Sequence, residues 1–244
     1  MGGNDKFARK ELKYRLTAAQ DHFLREALTP YVRPDQYGES TICNLYYDTP
    51  DFRLIRKSIE KPVYKEKLRL RSYGPAGPED NTFLELKKKY DGIVYKRRVC
   101  LTEREAMDYL SGKAHLPMDT QIARELDWFL MFYGTLRPMV YLNYDRTAFY
   151  SIDDPDLRIT FDRNICFRTD DLSLQSLPGG RFVIRPGESI MEIKAAGAMP
   201  LWLTALLTQA NAKRTPFSKY GTAYQMLLEE ENEPAFFTGG ILSA

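Results

Sequence analysis

Residues 65–71 read Lys-Glu-Lys-Leu-Arg-Leu-Arg, and residues 84–89 read Leu-Glu-Leu-Lys-Lys-Lys. Charged and apolar residues alternate in both stretches, and successive side chains of a β-strand point to opposite faces. Each stretch therefore predicts a strand with one charged face and one apolar face. The charged faces carry Lys65, Lys67, Arg69 and Arg71 on the first strand and Glu85, Lys87 and Lys89 on the second.

The Glu-x-Lys spacing of the second strand recurs at Glu11 and Lys13 and at Glu192 and Lys194. Periodicity and turn signals along the chain predict mostly antiparallel strands with helices in the connections. The predicted strands are 7–16, 41–48, 63–73, 81–90, 93–101, 137–150, 156–168 and 187–196. The predicted helices are 18–30, 51–58, 119–133, 199–211 and 218–231, with another that begins after the capping box 102–105. We interpret this as one α+β domain over 6–231, with a barrel-like sheet and a tail at 232–244.

The connecting helices need apolar surface on which to pack, and the apolar strand faces supply it. The charged faces then point inward. Like charges crowded in a low dielectric are costly unless a polyanion is bound. The alternative interpretation of each single strand is a sheet with one solvated, charged face.

Arginine offers planar bidentate donors to phosphate oxygens, and lysine adds compact positive charge. Carboxylates placed among them repel phosphate, but they suit Mg²⁺ or Mn²⁺, which bridge to phosphate oxygens. The mixture therefore predicts metal-assisted phosphoryl chemistry.

Composition and motif content argue against several other classes of protein. The formal net charge is +2, and basic and aromatic residues are not interleaved in an RNA-binding motif, so no nucleic-acid partner is expected. Three widely spaced cysteines form no CxxC pair, which suits a reducing compartment. There is no apolar run of membrane-spanning length and no signal sequence, and we expect a cytoplasmic protein. The phosphate-loop motif GxxxxGK[ST] is absent as well.

Nine short motifs in a fixed order resemble one known family over about residues 6–228. They are Arg9-Lys-Glu-Leu-Lys-Tyr14, Asn44-Leu-Tyr-Tyr-Asp48, Arg69-Leu-Arg71, Glu85-Leu-Lys87, Lys96-Arg-Arg98, Tyr144-Asp-Arg-Thr-Ala-Phe149, Leu157-Arg-Ile-Thr-Phe-Asp162, Met191-Glu-Ile-Lys194 and Phe217-Ser-Lys-Tyr220. The chain resembles the polyphosphate polymerase domain of the vacuolar transporter chaperone (VTC) proteins, within the triphosphate tunnel metalloenzyme (CYTH-like) superfamily. The resemblance implies an antiparallel eight-stranded β-barrel tunnel with flanking and C-terminal helices.

The resemblance also assigns roles to residues of this chain. It implies phosphate contacts in the catalytic tunnel for Lys13, Arg69, Arg71, Lys87, Arg146, Arg158 and Lys219. It implies substrate or phosphate binding for Lys96, Arg98, Tyr144 and Lys194. It implies Mn²⁺ or Mg²⁺ binding for Glu192, with Glu11 and Glu85 as assisting carboxylates.

The implied reaction extends a polyphosphate chain with the γ-phosphate of ATP or another nucleoside triphosphate. Many hydrolytic superfamily members have Glu-x-Glu-x-Lys in the first strand, whereas Arg9 occupies the first of these positions here. This favours the polymerase branch. Two alternatives stay open, a tripolyphosphatase or nucleoside triphosphatase using the same tunnel, and a non-catalytic polyphosphate-binding module. A separate membrane partner is compatible with all three.

Overall fold

The computed structural model describes residues 10–91 and 93–232. The strands are β1 (Lys10–Leu16), β2 (Val32–Asp48), β3 (Tyr64–Tyr73), β4 (Asn81–Tyr90), β5 (Ile93–Thr102), β6 (Arg137–Ser151), β7 (Arg158–Arg168), β8 (Arg181–Phe182) and β9 (Ser189–Ala195). The helices are α1 (Ala18–Leu28), α2 (Arg53–Ile59), α3 (Glu103–Leu110), α4 (Gln121–Tyr133), α5 (Leu201–Gln209) and α6 (Lys219–Asn232).

All described strands belong to one antiparallel sheet, in the order β1-β9-β7-β6-β2-β3-β4-β5, and the short β8 pairs with β7. The eight-stranded path confirms the predicted α+β architecture. In the described part of the chain the two end strands, β1 and β5, are not hydrogen-bonded to each other, so the sheet is curled but not closed. Side chains cross the open seam, since the Lys87 ammonium on β4 lies 4.0 Å from the Glu11 carboxylate on β1.

Two hydrophobic cores cover the outside of the sheet. The first joins the apolar face of β3 and β4 to α3 and α4, and its centre includes the fully buried Leu68, Leu84 and Phe129. The second joins β1, β7 and β9 to α1 and α5. These helices occupy the apolar strand faces, which confirms the inference that the charged faces point inward.

Helix α6 is the predicted C-terminal helix, and it packs on the charged side of the sheet. Its Tyr220 and Tyr224 belong to a third core with Ile42 and Leu142, which lie on the strand face shared with the charged residues. The Tyr220 ring stacks on Tyr46 at a centroid distance of 4.4 Å. The C-terminal helix therefore fills one end of the curled sheet and brings its N-terminus toward the charged residues.

The boundaries of most elements agree with the sequence prediction to within a few residues, and the capping box at Thr102 and Glu105 is present. Strand β2 begins about nine residues earlier than predicted, because residues 32–40 pair with β6 although their sequence is polar and contains Pro34. Strand β8 was not predicted. Arg9 and residues 233–244 lie outside the described residues. Within the described ranges, no helix has the length and apolar character needed to cross a membrane.

Asp48 provides a test of how α2 is attached to the sheet. Its buried carboxylate accepts hydrogen bonds from the backbone N–H groups of Leu54 and Ile55 and from the Tyr220 hydroxyl, which is 3.0 Å away. We expect Asp48→Asn to lower the free energy of unfolding by about 2 kcal/mol, because an amide nitrogen would then face these donors. Urea denaturation measures the loss. Asp119→Asn, at an exposed ion pair with Arg124, serves as the control and should change stability by less than about 0.5 kcal/mol.

Candidate functional site

The inner face of the sheet is the face on which the charged residues lie, at every second position of the strands. Strand register brings residues from distant parts of the chain side by side on it, since Lys13 pairs with Glu192, Arg69 with Glu85, and Arg146 with Asp162. Helix α6 adds Lys219, and Ser218 precedes it directly. The inner face thus consists of Glu11, Lys13, Asn44, Tyr46, Lys67, Arg69, Arg71, Glu85, Lys87, Lys96, Arg98, Tyr144, Arg146, Arg158, Asp162, Glu192 and Lys194, completed by Ser218 and Lys219.

Glu85 is the carboxylate with the largest number of cationic partners on the inner face. Arg69 Nε donates to it at 2.7 Å, Arg98 Nε donates at 2.7 Å, and the Lys96 ammonium lies 2.7 Å away. Burial alone would raise the pKa of Glu85, but Arg69 and the other cations outweigh it and hold this pKa far below its ordinary value. Glu85 is therefore permanently ionised and fixes three predicted phosphate-binding side chains.

Asp162 forms a second ionic cluster at the N-terminus of α6. Arg146 donates to it through Nε and Nη2 at 2.6 and 2.8 Å, and the Lys219 ammonium donates at 2.5 Å. Burial would raise the pKa of Asp162, but Lys219 and Arg146 lower it below its ordinary value. Asp162 is fully buried, and its carboxylate joins the sheet to α6 through two cations that are only slightly exposed.

Lys13, Glu11 and Glu192 form the third cluster. The Lys13 ammonium lies 3.1 Å from Glu11 and 3.8 Å from Glu192, and Lys194 lies 2.8 Å from Glu192. Burial disfavours the charge on Lys13, but the two carboxylates outweigh it and raise its pKa. The pKa of Glu192 is held far below its ordinary value, because Lys194 and Lys13 outweigh the effect of burial.

Two inner-face cations have neutral partners instead. The Arg71 guanidinium donates to the Asn44 side-chain oxygen at 2.9 Å and to the Tyr144 hydroxyl at 3.1 Å. The Lys67 ammonium donates to the Ser218 hydroxyl at 2.9 Å. Burial and neighbouring cations, Lys65 and Lys87 among them, lower the pKa of Lys67 to about 8. These side chains can exchange a neutral partner for a phosphate oxygen without breaking an ion pair.

The structure brings most of the predicted site residues together. Lys87 borders the open seam beside Glu11. Arg158 lies on the predicted face but is half exposed, and its guanidinium is 3.6 Å from the carboxylate of Asp35. The assigned roles of these residues stay predictions, because contacts alone do not establish a substrate.

A divalent metal ion is implied by the tunnel fold, and the inner-face carboxylates differ in how well they fit one. Glu11 and Glu192 both approach Lys13, so their hard oxygen donors already stabilise a cation between them. Among the described residues there is no cluster of three or more metal-binding side chains, so phosphate oxygens and water would have to complete the coordination. Glu85 fits less well, because arginine or lysine nitrogens lie within 2.7 Å of both of its oxygens, whereas the Lys13 ammonium lies 3.8 Å from Glu192.

Sequence reasoning assigned no site role to five inner-face residues, which are Asn44, Tyr46, Lys67, Asp162 and Ser218. Asp162 lies on the same strand parity as Arg158 and was quoted only as part of a motif. Lys67 shares the parity of Arg69 and was noted in the alternation without a role. Ser218 gives no signal of its own, since its position depends on where α6 enters the sheet.

Comparisons with known proteins identify the family to which the chain is related. The family model described as the VTC domain matches residues 8–228. Vacuolar transporter chaperone complex subunit 4 of Trypanosoma cruzi is 21% identical over 220 residues, which cover 70% of this chain and 27% of that protein. The chain thus spans about a quarter of the length of that curated relative.

Two solved structures resemble this chain at low sequence identity. A putative adenylate cyclase from Bacillus halodurans is 14% identical with a TM-score of 0.50, covering 86% of this chain and 95% of that one. A putative adenylate cyclase from Vibrio parahaemolyticus is also 14% identical, with a TM-score of 0.48 and coverage of 88% and 97%. The first of these likenesses supports the tunnel fold and says nothing about activity. Because the family model spans nearly the whole chain, the chain belongs to the VTC domain family.

Proposed function

We propose that this chain is a phosphotransferase that extends inorganic polyphosphate with the γ-phosphate of a nucleoside triphosphate. The terminal phosphate oxygen of the polyphosphate attacks the γ-phosphorus, the bond from that phosphorus to the β–γ bridging oxygen breaks, and a nucleoside diphosphate leaves. Arg71, Lys67 and the clustered arginines hold the phosphates in line and stabilise the charge of the transition state.

The observation that carries the proposal is the excess of positive charge on the inner face. The carboxylates of Glu85, Asp162 and Glu192 are each shared by two or more cations. Arg71 and Lys67 are hydrogen-bonded only to neutral groups among the described residues. An inner face with such an excess binds a polyanion that supplies the missing negative charge.

The low pKa values of the inner-face carboxylates favour transfer over hydrolysis. A water nucleophile needs a base to accept its proton, and Glu85, Asp162 and Glu192 are all weak bases because neighbouring cations stabilise their ionised forms. The histidines also lie off the inner face, His22 on the exposed side of α1 and His115 in an exposed connection. A terminal phosphate is already ionised near neutral pH and needs no base.

Glu192 and Glu11 are the residues that would hold Mn²⁺ or Mg²⁺, and the ion would neutralise charge on the phosphate oxygens. Lys13 lies between these carboxylates and binds phosphate beside them. The name of the curated relative describes a subunit of a complex. We extend the proposal to a cytoplasmic domain that works with a separate membrane partner.

Product analysis tests the proposal. The protein is incubated with ATP and Mn²⁺ or Mg²⁺, and the products are sized on a gel. Long-chain polyphosphate is the expected product. Orthophosphate alone would identify a hydrolase, and binding of tripolyphosphate without turnover would identify a binding module; either result would overturn the proposal.

Arg71→Ala tests one residue of the proposed phosphate site. We expect this variant to reduce kcat/KM by about 100-fold, because it loses one donor that stabilises the charge of the transition state. Arg104→Ala removes the same charge from an exposed ion pair with Glu79 outside the inner face and should retain full activity. Equal losses in both variants would contradict a specific role for Arg71.

The pKa of Lys67 predicts how phosphate affinity depends on pH. A lysine with a pKa of about 8 is charged below that pH and loses its proton above it. The affinity for tripolyphosphate should therefore fall roughly tenfold between pH 7.5 and pH 9, measured by titration calorimetry. Lys67→Arg stays charged and should show a smaller fall, whereas Lys113→Arg, at an exposed position, should behave like the parent protein. An identical fall in Lys67→Arg would assign the titration to another group.

A further inference from the structure

An aromatic pair, with one exposed and one half-buried ring, lies at one end of the inner face. The rings of Tyr73 on β3 and Phe83 on β4 meet edge to face, with their centroids 5.7 Å apart. Tyr73 is 53% exposed, and among the described residues neither ring belongs to one of the three hydrophobic cores. Packing in the interior therefore does not explain the pair.

The pair lies directly beside the phosphate-binding arginines. Phe83 is the register partner of Arg71, so their side chains project from the same face at neighbouring positions. Tyr73 follows Arg71 by two residues on the same strand face, a separation of roughly 7 Å. One ribose separates the base of a nucleotide from its phosphates, which is a comparable distance.

Arg98 connects the aromatic pair to the ionic cluster. Its guanidinium carbon lies 4.5 Å from the centroid of the Phe83 ring, and its Nε donates to Glu85. An arginine plane and aromatic rings placed together form the kind of surface on which nucleobases stack. Glu85 keeps Arg98 in this position even without a ligand.

The opposite end of the same strands has a different character. There Lys65 lies opposite Lys89, and Lys67 lies opposite Lys87. Burial and the neighbouring lysines lower the pKa of Lys65, which shows how closely these positive charges approach one another. This end offers charge for phosphates, whereas the end at Tyr73 also offers planar surface.

We propose that Tyr73, Phe83 and Arg98 form a subsite for the base of the nucleoside triphosphate, so that the nucleotide lies with its base at Tyr73 and its phosphates directed toward Lys67 and Lys87. The inference rests on the proposed function, because it takes the phosphates to be bound at Arg69 and Arg71. It predicts that the donor is a nucleotide and not inorganic polyphosphate alone.

The test compares two ligands that share phosphates and differ in the nucleoside. Dissociation constants are measured by titration calorimetry, in the presence of Mn²⁺, for tripolyphosphate and for the β,γ-imido analogue of ATP, which is not transferred. Tyr73→Ala should weaken binding of the nucleotide analogue by about tenfold and leave tripolyphosphate binding unchanged. Tyr73→Phe keeps the ring and should bind both ligands like the parent protein. Tyr37→Ala removes a 70% exposed tyrosine from β2 and serves as the control.

The outcomes distinguish a failure of the base subsite from a failure of the proposed function. Equal weakening of both ligands by Tyr73→Ala would show that Tyr73 supports the structure only, and no weakening of either would remove it from the site. Both results would overturn the subsite while the phosphate site stands. Failure of the parent protein to bind tripolyphosphate and the analogue would overturn the phosphate site and the subsite together.

Discussion

The inner face has to offset the electrostatic repulsion among many cations on one concave surface, and the rest of the structure depends on how it does so. Two unit charges 4 Å apart interact with about 4 kcal/mol at the effective dielectric near a protein surface. Lysines and arginines from β1, β3, β4, β5, β6, β9 and α6 are brought close together because they share carboxylates. The fold tolerates them because Glu85, Asp162 and Glu192 each lie between two or more of them.

These carboxylates also determine what the inner face can bind. They hold arginine and lysine side chains in place, which lowers the entropy cost of ordering them around a ligand. They leave Arg71 and Lys67 with neutral partners, and under the proposed function these are the positions where a phosphate would displace the weakest contacts. Tyr144 belongs to the same arrangement, since Arg71 and Arg146 lower the pKa of its hydroxyl despite its burial. The ion pairs that stabilise the inner face are therefore the same ones on which the proposed ligand recognition depends.

The sequence predicted the parts of this arrangement that follow from local pattern. Alternation at 65–71 and 84–89 gives the strands and their two faces, and the need of helices for apolar surface gives the direction of the charged face. The resemblance to a known family then assigned roles to residues such as Arg69 and Lys219.

Alternation cannot reveal which side chains meet across strands, because those contacts depend on register and on the entry of α6. For this reason the pairing of Asp162 with Lys219 and the engagement of Glu85 by three cations were not anticipated. The order of the strands has a consequence for how the chain folds. Strand β1 pairs with β9, and Lys13 donates a hydrogen bond to the carbonyl oxygen of Phe217, 204 residues away in sequence. Contacts between residues so far apart in sequence form slowly, because the chain between them must lose much conformational entropy before the contacts can stabilise it. The inner face is consequently complete only after almost the whole described chain has left the ribosome, and until β9 emerges β1 lacks its partner strand and its edge is open to pairing with another chain.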